Sequence, residues 1–120
     1  MNIILVLFKL SRPVNVLISF VTIIVAAELA WGLSPLLDVL LAALSAALIT
    51  VGANVINDYF DIEIDLINKP ARPLAAGIIS KQMVLMYFIF VYFFSLDFIF
   101  LHKFIDVCSR IYNKCSPIFL

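Results

Sequence analysis

Hydrophobic positions dominate this chain in three long stretches, running approximately from Pro13 to Trp31, from Leu36 to Ile56 and from Met83 to Leu101. Each approaches the ~20 apolar residues that carry a helix across a bilayer core. A shorter apolar run, Met1 to Phe8, is closed by Lys9 and Arg12 and reads as an interfacial lead-in. A cleaved signal peptide is the weaker reading, because the start lacks a basic n-region and the long hydrophobic run follows the cations. Polar residues gather at one place, between the second and third stretches, from Asn54 to Pro73.

Composition strengthens the membrane assignment. The 120 residues are 65% hydrophobic and 13% charged, with a formal net charge of zero and a mean hydropathy of +1.17. A soluble domain of this length needs far less apolar surface. The expected class is therefore all-α, a polytopic membrane protein with about three transmembrane helices. No nucleic-acid partner is expected. Cys108 and Cys115 lie in the tail with only His102 nearby, which matches no zinc spacing and reads as ordinary thiols.

Lys and Arg asymmetry sets the expected orientation. Lys9 and Arg12 precede the first span, Gly32-Leu-Ser-Pro35 carries no cation, and Lys69, Arg72 and Lys81 fill the next loop. The N-terminus and the aspartate loop are both expected on the cytoplasmic side of a cell membrane. Lys103, Arg110 and Lys114 after the third span conflict with that count. The segment Leu101–Leu120 shows no sustained helical stripe, so residues 102–120 are set apart as an atypical tail and 1–101 as the domain.

Within the spans, Ala42-Ala-Leu-Ser-Ala-Ala47 and Gly52-Ala53 make a small-residue surface suited to close helix contact in lipid. Pro13 stands where a helix tolerates it, at the first turn. Asn15 has two readings, polar glue between helices or substrate contact. Asp38 and Glu28 are expected at interfaces, and Asp97 lacks an obvious cation.

The polar segment carries the chemistry. It reads Asn54-Val-Ile-Asn57-Asp58-Tyr-Phe-Asp61-Ile-Glu-Ile-Asp65-Leu-Ile-Asn68-Lys69-Pro70-Ala-Arg72-Pro73. Spacings of three and four put positions 54, 58, 61 and 65 on one helix face, with Glu63 turned away. Pro70 and Pro73 should end that helix and turn the cations back over the carboxylates. Stacked carboxylates repel unless something positive sits among them, and Mg²⁺ takes oxygen ligands and bridges carboxylates to substrate phosphates. A solvated helix end is the plainer alternative. An ion-conducting role suits the acids less well, since Lys69 and Arg72 beside them favour a bound anion.

Asn57-Asp58-x-x-Asp61-x-x-x-Asp65, followed by Lys69-Pro70-x-Arg72-Pro73-Leu74 and preceded by Arg12-Pro13-x-Asn15, resembles the UbiA superfamily of intramembrane prenyltransferases over Lys9 to roughly Tyr92. The resemblance implies an all-helical membrane bundle of about nine helices, with an active site at the cytoplasmic mouth of a central cavity. It implies that Asp58, Asp61 and Asp65 are catalytic and hold Mg²⁺, that Asn54 or Asn57 assists them, and that Lys69, Arg72, Arg12 and Asn15 contact the diphosphate. Partners would be the bilayer, an isoprenyl diphosphate, and a lipid-phosphate or aromatic acceptor. The wording Asn-Asp-Tyr-Phe-Asp-Ile-Glu-Ile-Asp is most like the branch that transfers a geranylgeranyl group to the hydroxyl of geranylgeranylglyceryl phosphate in ether-lipid synthesis. The 4-hydroxybenzoate, chlorophyll and menaquinone branches stay open. The family's second aspartate motif has no counterpart after Asp65. The expectation is thus an N-terminal third of such an enzyme, with a tail from truncation or a frame change. It would be inactive alone or completed by a separate chain; a non-catalytic membrane remnant is the alternative.

Overall fold

The computed structural model describes residues 2–31 and 35–115. Five helices follow in order: α1 (Ile3–Ser11), α2 (Pro13–Trp31), α3 (Leu36–Phe60), α4 (Ile62–Asn68) and α5 (Lys81–Cys115), with no strand among the described residues. Helices α2, α3 and α5 are each long and apolar enough to cross a membrane, as the three hydrophobic stretches predict. Most of the Gly32–Pro35 connection and residues 116–120 of the tail lie outside the described residues.

Helix α3 is the central element, with α1, α2 and α5 all packed against it. Its small-residue surface is where that happens: Ala43, Ser45, Ala47 and Gly52 are buried. Small side chains let helix backbones approach closely, which matters in lipid because the hydrocarbon offers no hydrophobic drive between helices. Thr50 of α3 and Ser19 of α2 share a hydrogen bond of 2.7 Å across that contact. The core cluster joins Val51 and Val55 of α3 to Val84 and Val91 of α5.

The N-terminal run does more than lead in. Asn2 caps α1, its side-chain oxygen accepting from the Ile4 amide at 3.2 Å, and Val6 and Leu10 are buried in the same core as Val55. The helix stops because Pro13 has no N–H and its ring disfavours the right-handed helical region for the preceding residue. Arg12 accordingly adopts φ 52°, the left-handed region, which costs a non-glycine residue about 1–2 kcal/mol. Its carbonyl then accepts from the Asn15 and Val16 amides at 2.9 and 3.3 Å, starting α2.

The loop from Lys69 to Ser80 is folded onto the bundle by Leu74 and Ile79, both buried. Gly77 turns it at φ 70°, and Ser80 caps α5 by accepting from the Met83 amide at 3.3 Å.

The tail read as lacking a helical stripe is helical as far as Cys115. No Pro or Gly interrupts residues 81–115, so the backbone ladder runs on without needing an apolar face to direct it. Asp38, expected at an interface, is half-buried, and its Oδ1 lacks a hydrogen-bond partner among the described residues. Its place in the first turn of α3 sets the carboxylate at the positive end of the helix dipole. Asp97 and Glu28 are exposed.

Candidate active site

The site is assembled where α3 gives way to α4. Asp61 leaves helical geometry at φ −86°, ψ 8°, yet the backbone bonds continue through it: the Asp61 amide reaches the Asn57 carbonyl at 2.9 Å and the Asp65 amide reaches the Asp61 carbonyl at 2.8 Å. The helical hydrogen-bond ladder therefore runs through the break. Asp58 and Asp65 both point inward, 4% and 5% exposed.

Two guanidinium groups enter from different segments. Arg72, from the loop after α4, places Nη1 3.0 Å from Asp58 Oδ1 and 2.6 Å from Asp65 Oδ2. Arg12, from the joint between α1 and α2, pairs through Nη2 with the same Asp58 Oδ1. A buried carboxylate is tolerated only when paired and hydrogen-bonded, and this network of two acids and two guanidiniums is balanced in charge. The return of Arg72 over the carboxylates is the fold-back that the prolines predict, and α4 ends at Asn68, just before them.

The other sequence candidates are arranged differently. Asp61 sits half-buried at the break and forms no ion pair among the described residues. Asn57, Lys69 and Asn15 are exposed, and Glu63 also faces outward. Asn54 is buried and engages the Ser11 carbonyl instead of an acid, its amide donating at 2.9 Å. No group of three His, Cys, Asp or Glu residues among those described lies close enough to hold a metal ion. The donor chemistry is nonetheless that of a hard cation, since Mg²⁺ is usually held by one or two carboxylates and completed by substrate phosphate and water.

Two residues escaped the sequence reading. Ser11 and Tyr87 share a hydrogen bond of 2.8 Å between α1 and α5, directly beside Arg12. The only available signal was a hydroxyl at Ser11, just before Arg12-Pro13. Next to this joint an apolar cleft of about 450 Å³, lined in part by Pro13, Val16, Phe20, Ala47 and Val51, lies between α2 and α3.

The UbiA prenyltransferase family matches residues 19–104. The chain is 45% identical over 80 residues to the digeranylgeranylglyceryl phosphate synthase of Thermococcus sibiricus, covering 66% of this chain and 29% of that protein. It is 41% identical over 78 residues to the protein of the same name from Methanoregula boonei, covering 65% and 28%. With that of Methanoculleus marisnigri it is 47% identical over 73 residues, covering 60% and 25%. The chain thus spans less than a third of the length of these curated relatives. No solved structure matches it.

Proposed function

The chain belongs to the UbiA prenyltransferase family, and from that premise we propose that its aspartate segment grips the diphosphate in transfer of a geranylgeranyl group to the hydroxyl of geranylgeranylglyceryl phosphate. The product class is a membrane ether lipid, and the reading of the acceptor rests on the name borne by the relatives. The observation that carries the site is Arg72, one nitrogen of which serves both Asp58 and Asp65. Such an arginine is already placed among the acids and can turn its remaining donors to phosphate oxygens, for which a guanidinium is well shaped.

In this reading Arg12 and Arg72, which meet at Asp58 Oδ1, both contact the diphosphate, and Lys69, exposed at the end of α4, adds a third cation. Asp58, Asp61 and Asp65 would hold Mg²⁺ through carboxylate oxygens, with Asn57 at the rim. When bound, the ion neutralises phosphate oxygens and eases departure of the leaving group. The bond between the allylic carbon and diphosphate breaks, the acceptor hydroxyl oxygen attacks that carbon, and the hydroxyl proton passes to the departing diphosphate. The cleft between α2 and α3, beginning beside Arg12, has the apolar lining an isoprenyl tail requires. With Lys9, Arg12, Lys69, Arg72 and Lys81 on one side, the site would face the cytoplasm.

The test is Mg²⁺-dependent binding of inorganic pyrophosphate to the chain in lipid nanodiscs. Binding that disappears in Arg72→Gln and Asp65→Ala is expected. Wild-type chain that ignores pyrophosphate at millimolar concentration would sink the proposal.

A further inference from the structure

We propose that Tyr87 and Asn54 are positioning residues that hold the Arg12 turn over Asp58, so that α1, α3 and α5 together aim one arm of the diphosphate clamp. This rests on the reading of Arg12 as a diphosphate contact. The geometry begins at Ser11, which is buried at the end of α1. Its hydroxyl donates to the Leu7 carbonyl at 2.8 Å. A hydroxyl has one proton, so the Tyr87 hydroxyl, 2.8 Å away, donates to Ser11. The Ser11 carbonyl in turn accepts from the Asn54 amide at 2.9 Å. Ser11 is therefore held from α3 through its backbone and from α5 through its side chain.

The next residue is Arg12, in the left-handed conformation. A strained backbone angle persists only where its surroundings over-determine it, and the bonds to Ser11 supply that constraint. Asn54 and Asp58 lie one turn apart on α3, so a single helix face secures the joint through the first and receives the Arg12 side chain through the second. Lys has no comparable planar fork, and a side chain aimed from a loose joint would spend much of its time away from Asp58. Tyr87 lies in the second turn of α5, after the loop that carries Arg72. The bond from Tyr87 to Ser11 thus ties the Arg12 arm to the element that follows the Arg72 arm.

The experiment uses the full chain in lipid nanodiscs with Tyr87→Phe, Arg12→Gln and the double variant. Calorimetry measures Mg²⁺-pyrophosphate Kd, and amide hydrogen exchange is followed at Asn15 and Val16, whose N–H groups bond to the Arg12 carbonyl. Loss of one neutral hydrogen bond should weaken pyrophosphate binding about two- to tenfold in Tyr87→Phe. In the Arg12→Gln background the same change should have no further effect. Exchange at Asn15 and Val16 should quicken by a similar factor while Val55 in the core is unchanged. An equal loss of affinity in both backgrounds, or unaltered exchange at the start of α2, overturns the proposal. If wild-type chain binds no pyrophosphate, the diphosphate reading falls and the exchange pattern alone decides whether Tyr87 holds the turn. Should Tyr87→Phe fail to fold, Ser11→Ala removes the same bond together with the Ser11 bond to the Leu7 carbonyl, and the coupling to Arg12→Gln is then the deciding readout.

Discussion

Asp58 and Asp65, seven residues apart and on opposite sides of the break at Asp61, accept hydrogen bonds from the same Arg72 nitrogen at 3.0 and 2.6 Å. One cation thereby holds two buried acids that would otherwise repel. Removing it leaves Asp65 without an ion pair among the described residues and leaves Asp58 with Arg12 alone. Breaking a buried pair typically costs 3–5 kcal/mol, and the partial exposure of Arg72 moves the expectation to the lower end, about 3 kcal/mol. Arg72→Gln should therefore lower the unfolding midpoint in detergent more than Arg12→Gln does. Equal losses would show that Asp65 draws little from the bridge.

Asp61 should behave unlike its neighbours. It is half-buried and has no ion pair among the described residues, so Asp61→Asn is expected to change stability by no more than about 0.5 kcal/mol. Asp58→Asn removes charge from a site contacted by two guanidiniums and should be clearly destabilising. Both variants should weaken Mg²⁺-dependent pyrophosphate binding. Urea or thermal unfolding paired with calorimetry separates the two effects, and an Asp61→Asn variant as unstable as Asp58→Asn would contradict the placement.

Much of this arrangement was legible from spacing alone. Hydrophobic length located α2, α3 and the first part of α5, and the prolines at 70 and 73 correctly ended α4. The repeat at 58 and 65 anticipated that these two carboxylates share a side, because the ladder survives the break at Asp61. What could not be read was where Asn54 would turn: an amide beside aspartates looks like one of them until Ser11, 43 positions earlier, is brought alongside it. The Ser11–Tyr87 bond spans 76 positions and has no local signature. Nor does the helical tail, since a helix without Gly or Pro can extend with no stripe to mark it.

Gly52 offers a test of how tightly α3 and α5 meet. A Cβ added there would lie 3.7 Å from the Phe88 ring, an ordinary contact distance. Alanine also has the better helix propensity, by about 0.8–1.0 kcal/mol. Gly52→Ala is thus expected to leave stability unchanged or raise it by up to that amount. Gly52→Leu must push Phe88 aside and should destabilise the pair. The unfolding midpoints of the two variants check this, and a large loss in Gly52→Ala would mean a closer helix approach than described.

Helix α5 should divide into a half that stabilises the bundle and a half that does not. Its 35 residues span about 52 Å at 1.5 Å each, well beyond a hydrocarbon core of about 30 Å. The residues of α5 buried in the bundle, Val84, Val91 and Ser95, all lie in its first half. Beyond Leu101 the side chains are largely exposed. The ion pair there, Asp106 with Arg110 at 3.1 Å, is an exposed i,i+4 contact of the kind worth about 0.2–0.5 kcal/mol. Proline at Val107 would remove a backbone bond and disrupt the distal turns, so Val107→Pro should reduce the helical circular dichroism signal. The thermal midpoint of the bundle should be preserved. Val91→Pro, in the packed half, should abolish folding. A fall in the midpoint of Val107→Pro comparable to that of Arg72→Gln would show instead that the distal half of α5 is packed against something that holds the bundle together.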